Sequence, residues 1–549
     1  MRNNTIAYTL LLTLGFTSLG PAAPQSGLRN APKRKRPNII FVLTDDLDTG
    51  YPRGAWLDYF PQLKTALTGS GVTFENNFVS VSLCCPSRTT TLRGQYSHNT
   101  QIFTNAEPAG GFQKAHDLGL ENSTMATWLH GAGYRTVLLG KYLNQYPGRV
   151  ATYVPPGWDE WYAGEQNGYA QFDYTLNENG KIVFHGSAPE DYLQDVIHAK
   201  AVDFLKRTAA HHGVQPFFMW MTPYSPHEPA AFAPRFANRF RNIKAPRPPS
   251  FNEADNSHHP DWLQSRSLLS TLEIQQIDTL YGNRLRSMLA VEETVVDLIK
   301  TLRETGQLDN TYIFFSSDNG FHLGQHRLNP GKNTEFEEDL RVPLIVRGPG
   351  VPAAKRVPQM TVNIDFAPTF ADIAGVRPPD FVDGRSLLPL LGSGPAGAWR
   401  TAFLLEHGIE NGIAADADGR TEPNPSLVSE PPDLFDLKAG VGGQSPPPFK
   451  GVRTESHVYI DYPSTAETEI YDLQQDPNEH VSISESENPQ LIDNLKELLS
   501  ALKVCAGSVC RAVENKGVES KTGKLVTPIP SAVSESKQPR NLAEALPSN

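Results

Sequence analysis

Cysteine is scarce in this chain: four residues among 549, at positions 84, 85, 505 and 510. So few exclude a scaffold built on disulfides and leave stability to a hydrophobic core. Positive charge is in deficit too, with 49 lysines and arginines against 60 acidic residues and a formal net charge of −11. That balance argues against a nucleic-acid binder, which normally carries a basic face. It also fits poorly with a dedicated reader of strongly anionic polymers, while leaving room for a local basic pocket. Beyond the N-terminal segment no apolar run is long enough to span a bilayer, so no stable membrane insertion is expected. No internal repeat is visible. What the chain does have is 39% hydrophobic and 20% charged residues, the balance of a soluble protein with a large core.

Arg2 is followed by an apolar stretch from Ile6 to Leu19, then by small residues and proline at Pro21–Ala22–Ala23. This pattern predicts a secretory signal peptide over residues 1–23, cleaved between Gly20 and Ala23; the stretch is short for an uncleaved anchor. Behind it, Lys33–Arg34–Lys35–Arg36 reads as a solvated or trimmed segment rather than a nuclear signal. Cys505 and Cys510 lie close together in a polar region, and a disulfide between them suits an oxidising compartment. Asn122–Ser123–Thr124 is a glycosylation sequon on the same route, which adds Asn122 as a modification site. The expected location is extracellular, or the lumen of the secretory pathway.

Five short runs are apolar on both faces and read as buried parallel strands: Ile39–Leu43, Thr136–Leu139, Phe217–Met221, Tyr312–Phe315 and Pro343–Val346. Helical patterns lie between them, the clearest from about Leu285 to Leu302, stopped by Gly306. Alternation of this kind predicts an α/β fold, a large and mostly parallel sheet covered on both faces by helices. Residues 36–398 are assigned to this catalytic domain. Residues 399–510 form a smaller C-terminal subdomain, with strands at Val452–Tyr462 and Glu469–Leu473, a helix at Pro489–Leu502 and a loop insertion over about 409–450. Residues 511–549 are polar and expected to be a disordered tail.

The residues that follow the strands carry the chemistry. Ile39–Leu43 leads to Asp45–Asp46, Thr136–Leu139 to Lys141, Phe217–Met221 to His227, and Tyr312–Phe315 to Asp318–Asn319. Ligands collect at the carboxyl ends of strands in open α/β sheets, so residues far apart in sequence can meet there. Asp45, Asp46, Asp318 and Asn319 would bring three carboxylates together, each unscreened pair at contact costing about 4 kcal/mol at a surface-like dielectric. A bound cation removes that repulsion, and an all-oxygen donor set favours calcium or magnesium over zinc.

The sharpest motif is Cys84–Cys85–Pro86–Ser87–Arg88–Thr89–Thr90–Thr91–Leu92–Arg93–Gly94. It resembles the signature C-x-P-S-R-x-x-x-L-T-G of the sulfatase family, in which a formylglycine-generating enzyme oxidises the first cysteine. The resemblance assigns the modified residue to Cys84; Arg93 stands where the family usually has Thr. A hydrated formylglycine is a geminal diol: one hydroxyl attacks sulfur, and deprotonation of the second expels sulfate, which an ordinary Ser or Cys could manage only with an activated water. Family sulfatases also hold calcium with an Asp–Asp pair after the first strand and with S-D-[NH]-G, matched by Asp45–Asp46 and Ser317–Asp318–Asn319–Gly320. The resemblance therefore implies one calcium ion per chain, with Asp45, Asp46, residue 84, Asp318 and Asn319 around it.

Similarity extends in family order over about residues 36–480, through Arg341–Gly350, Gly384–Pro389 and Tyr471–Asp472–Leu473 with Asp476–Pro477. It implies an alkaline-phosphatase-like scaffold and a catalytic set of Cys84, Arg88, Lys141, His227 and Lys332. Positive charge aimed at a transferring sulfuryl group stabilises its oxygens as charge shifts to the leaving group. Leu143 replaces the histidine of the common G-K-x-H segment, and Gly140–Lys141–Tyr142–Leu143–Asn144 resembles instead N-acetylglucosamine-6-sulfatases and fungal-type arylsulfatases. Asn144, His322 and His326 are then substrate-pocket candidates. The expected substrate is a small sulfate ester, an aryl sulfate or a sulfated sugar. The alternatives are a phosphonate monoester or phosphodiester hydrolase on the same scaffold, and a secreted anion-binding protein in which Cys84 stays unmodified.

Overall fold

Ten strands build one sheet: β1 (Asn38–Thr44), β2 (Val72–Phe78), β3 (Arg135–Gly140), β4 (Glu160–Gln166), β5 (Tyr174–Glu178), β6 (Lys181–His185), β7 (Phe217–Thr222), β8 (Thr311–Ser317), β9 (Leu344–Arg347) and β10 (Lys355–Val362). Their order is β10-β2-β9-β8-β1-β7-β3-β4-β5-β6. The computed structural model describes residues 35–210, 215–394, 397–408, 446–484, 486, 488–518 and 525–526. The predicted signal peptide, and all but the last few residues of the insertion at 409–450, lie outside the described residues.

β1 shows why the runs are apolar throughout. Ile40 and Val42 pack on one face with Val137, Met219, Met221 and Phe315, against the helices Leu193–Ala210 and Thr271–Glu304. Ile39, Phe41 and Leu43 pack on the other with Leu138, Trp220, Phe314 and the helix Phe366–Ile373. A strand covered on both faces has no polar side to show. Each such side chain, fully buried, contributes about 1.5–3 kcal/mol.

β8, β1, β7, β3 and β4 are neighbours and all parallel, so their carboxyl ends share one edge. β9 is antiparallel to both β8 and β2, which corrects the expectation of a parallel strand at Pro343–Val346. The same pairing turns β2 to run with β8, and its carboxyl end leads to the helix Cys84–Arg93 at that same edge.

A separate antiparallel sheet contains β11 (Ala402–His407), β12 (Phe449–Thr454), β13 (His457–Tyr462) and β14 (Glu467–Asp472), in that order. The helix Pro489–Leu502 packs its Leu491, Leu495, Leu498 and Leu502 into the core of this sheet. Cys505 and Cys510 are disulfide-bonded. Residues just past 510 are not a loose tail. The helix Ser508–Glu514 buries Glu514, whose carboxylate takes Arg385 and Arg400. A polar composition concealed an ion-pair anchor.

The long helix also starts earlier than the expected Leu285. It runs from Thr271 and is capped by Ser270, whose hydroxyl accepts from the Glu273 amide while the Glu273 carboxylate accepts from the Ser270 amide. No described helix is long and apolar enough to cross a membrane.

Candidate active site

Glycine fixes the entry of Lys141. Gly140 has φ +117°, and a Cβ there would lie 2.1 Å from the Thr222 carbonyl oxygen of β7. With no side chain in the way, the Lys141 amide donates to that carbonyl at 2.9 Å, and the lysine turns inward. Its Nζ lies 2.9 Å from Asp45 Oδ2. Gly320 after Asn319 is equally constrained, since a Cβ would meet the Glu338 carbonyl at 2.0 Å.

Asp45 and Asp46 follow β1 directly and are wholly buried. The Asp46 amide donates to Asp318 Oδ1 at 3.1 Å, tying the end of β1 to the end of β8. Asn319 Nδ2 donates to Asp46 Oδ1 at 2.7 Å, while Asn319 Oδ1 is buried with no hydrogen-bond partner. Arg88, one helical turn past Cys84, donates from Nε to Asp318 Oδ2 at 2.8 Å and from Nη1 to the Lys141 carbonyl at 3.0 Å. Cys84 Sγ sits 3.5 Å from Asp45 Oδ1, 3.9 Å from Asp46 Oδ1 and 3.1 Å from Lys332 Nζ. Lys332 also reaches both Asp46 oxygens, at 2.8 and 2.9 Å. His227 Nε2 is 3.6 Å from Asp46 Oδ2. Its Nδ1 meets the Glu228 carbonyl at 2.6 Å, an acceptor only, so Nδ1 carries the proton.

Three buried carboxylates here face three cationic side chains. Burial alone would raise Asp46, yet Lys332, His227 and Lys141 hold its carboxyl well below the usual range. Burial, and then the neighbouring Asp45 carboxylate, push Asp318 up to about 6 despite Arg88 and Lys141. Burial also drives the Cys84 thiol well above its ordinary value, beyond what Lys141 and Lys332 recover. As a thiol, residue 84 stays protonated and is a poor nucleophile.

The donor set fits a cation. Asp45, Asp46, Cys84 and His227 present donor atoms all within 4.8 Å of one another. Asp318 and Asn319, whose Oδ1 is orphaned, are both hydrogen-bonded to Asp46 of this set. Carboxylate and amide oxygens predominate, which suits a hard divalent ion.

A sulfatase family profile matches residues 37–376. The human N-acetylglucosamine-6-sulfatase is 34% identical over 524 residues, covering 91% of this chain and 89% of that one. An arylsulfatase of Volvox carteri is 31% identical over 549 residues, covering 91% of this chain and 78% of its own. A solved structure in complex with its substrate D-glucosamine-2-N,6-O-disulfate aligns at TM-score 0.67 and 25% identity, over 85% of this chain and 97% of that one. The chain belongs to the sulfatase family. It is a sulfuric ester hydrolase with the family's α/β fold.

Not every residue singled out from the sequence of this sulfatase joins the Cys84 cluster. Asn144 lines a small crevice beside Lys141, together with Glu165, Tyr169 and Tyr224. His322 pairs its backbone with Gly331, next to Lys332, and turns Nδ1 to both Asp339 oxygens at 3.0 Å. His326 is the exception: it is buried, stacked on Phe336 at 3.8 Å and bonded to Glu253 at 3.3 Å. Between the two histidines Gly324 takes φ +99°, and His326 faces Glu253 while His322 faces Asp339. Asn122 is exposed at the end of a short 3₁₀ turn.

Sequence reasoning also missed residues that hold the site in place. Arg284 of the long helix donates to the Asp46 and Pro226 carbonyls and lies 4.2 Å from the Phe321 ring, clamping the loops after β1, β7 and β8. Asn363 Nδ2 donates to the hydroxyls of Ser87 at 2.9 Å and Thr90 at 2.7 Å, fixing the Cys84–Arg93 helix. Arg93, the departure from the signature, has its own partners: Gln95 and the carbonyls of Leu120 and Ser123, at 2.7, 2.7 and 2.8 Å.

Proposed function

We propose that this sulfatase cleaves sulfate monoesters with a formylglycine made from Cys84, beside one calcium ion held by Asp45, Asp46, Asp318 and Asn319. The observation that carries the reading is the convergence of Cys84 with both aspartates and Lys332 within 3.9 Å. Bound at these oxygens, calcium would neutralise the buried carboxylates and polarise a sulfate oxygen. The hydrated aldehyde would supply one hydroxyl to attack sulfur and a second whose deprotonation releases sulfate.

The remaining work falls to side chains of this chain. Arg88 orients Asp318 and, through the Lys141 carbonyl, the strand end that carries the lysine. Lys141 and Lys332 flank residue 84 and stabilise negative charge on the sulfuryl oxygens as the ester bond breaks. His227, with Nδ1 locked on a carbonyl, turns Nε2 inward; in its charged form that nitrogen delivers a proton to the departing alcohol. Asn144 and His322 stand beside Lys141 and Lys332 as pocket residues.

The substrate is an aryl sulfate or a sulfated sugar, the two classes in the names of its relatives. Maturation would follow the secretory route, where the N-terminal pattern directs the chain, the Cys505–Cys510 disulfide forms, and a formylglycine-generating enzyme acts on Cys84.

The test is a panel on the purified full chain: an aryl sulfate, N-acetylglucosamine 6-sulfate and an aryl phosphonate. The proposal expects the sulfates to turn over faster, chelation to suppress turnover, calcium to restore it, and Cys84→Ala to abolish it. Faster phosphonate turnover, or an active Cys84→Ala variant, would overturn it.

A further inference from the structure

A second cluster of titratable groups lies apart from Cys84, around the carboxylate of Glu253. Oε1 accepts from His259 Nε2 at 3.0 Å and from His326 Nδ1 at 3.3 Å; Oε2 accepts from His480 Nδ1 at 3.0 Å. Glu253, His259 and His326 are buried, and their donor atoms all lie within 4.8 Å of one another. The rings of His259 and His326 stand edge to face, 5.3 Å apart, so the two imidazoles approach the carboxylate from different directions.

We propose that Glu253, His259 and His326 form a transition-metal site, of zinc type, distinct from the oxygen-rich site beside Cys84, with His480 steadying the Glu253 carboxylate from its other oxygen. Two imidazoles and one carboxylate, with a position left for water, are a borderline donor set that suits zinc or cobalt rather than calcium. A tetrahedral ion with bonds of 2.0–2.1 Å spaces its donors about 3.3 Å apart, so the observed 3.0 and 3.3 Å contacts need open little to admit one. The outer shell is already built. His259 turns its other nitrogen to the Tyr471 hydroxyl at 2.9 Å, with Glu469 Oε1 at 3.7 Å, as metal-bound histidines turn theirs to an oxygen acceptor.

Such an ion would clasp the segment before the long helix to the loop between β8 and β9 that also carries Lys332, while His480 ties in the stretch after β14 through the Glu253 carboxylate. It would therefore brace one wall of the active site without touching the reacting atoms.

The test uses full-length protein stripped with chelator and titrated with Co2+, then Zn2+. Four proteins are compared: wild type, His326→Gln, His480→Gln and Asp46→Asn. His480, with 27% of its side chain exposed, is the substitution least disturbing to the fold. With Ca2+ kept in excess to fill the site beside Cys84, the proposal expects one Co2+ per chain with the intense visible absorption of tetrahedral cobalt, displaced by Zn2+. It expects binding at least about tenfold weaker in both histidine variants and unchanged in Asp46→Asn. Zn2+ should raise the melting temperature of wild type by more than that of His480→Gln at the same concentration. Absence of stoichiometric binding, equal binding in the histidine variants, or loss of binding in Asp46→Asn would each overturn it.

Discussion

Arg88 and Asp318 form a wholly buried ion pair, with Nε donating to Oδ2 at 2.8 Å. The same guanidinium holds the Lys141 carbonyl at 3.0 Å, so one side chain ties the Cys84–Arg93 helix to the ends of β8 and β3. Lysine cannot make both bonds, because it lacks the rigid fork.

Arg88→Ala is expected to destabilise the protein by about 3–5 kcal/mol, since it strands a buried carboxylate. Arg88→Lys should keep more of that stability and still lose most turnover. Denaturant unfolding and kcat/KM on an aryl sulfate check both.

His227 should matter in proportion to how badly the leaving alcohol needs a proton. His227→Ala is expected to lower kcat by about 10²–10⁴-fold on a sugar sulfate. The loss should be much smaller on an aryl sulfate with an acidic phenol, which leaves without help. Equal losses on both substrates would remove the proton-transfer role and leave only positioning.

A pH effect on stability is expected at Glu406. Burial works against its charge, but Lys450 at 3.0 Å and His98 at 3.1 Å bring its carboxyl down to about 2 from an ordinary 4.5. A depressed carboxylate stabilises the fold at pH values above the unfolded 4.5, and that contribution fades as pH falls from 4.5 towards 2. The difference corresponds to roughly 3 kcal/mol. Glu406→Gln should be less stable than wild type near neutrality and should lose less stability on acidification over that window, as followed by urea unfolding.

Much of this was legible in the chain itself. Runs such as Ile39–Leu43 and Phe217–Met221 are apolar at every position because helices cover both faces of the sheet, and the charged residues after them mark one edge. β9 gave no such clue to its direction; strand polarity comes from pairing partners, not from composition. The first turns of the long helix were readable too, since Ile274, Ile277, Leu280 and Tyr281 continue the apolar spacing upstream of Leu285, and Ser270 with Glu273 made a readable cap. Arg284 could not be singled out, since it acts through backbone carbonyls brought near by tertiary packing. The different partners of the two histidines were not readable for a related reason: His326 faces Glu253 while His322, four residues earlier, pairs with Gly331 next to Lys332, and tertiary packing sets both contacts.

The account rests on the chemical form of residue 84, and peptide mass analysis of the native protein, combined with aldehyde trapping, reads that form directly. The account predicts a Cys84-containing peptide in which the thiol has become an aldehyde that a hydrazide reagent captures, with Cys85 unchanged. An intact Cys84 thiol in protein that still hydrolyses sulfate esters would contradict it.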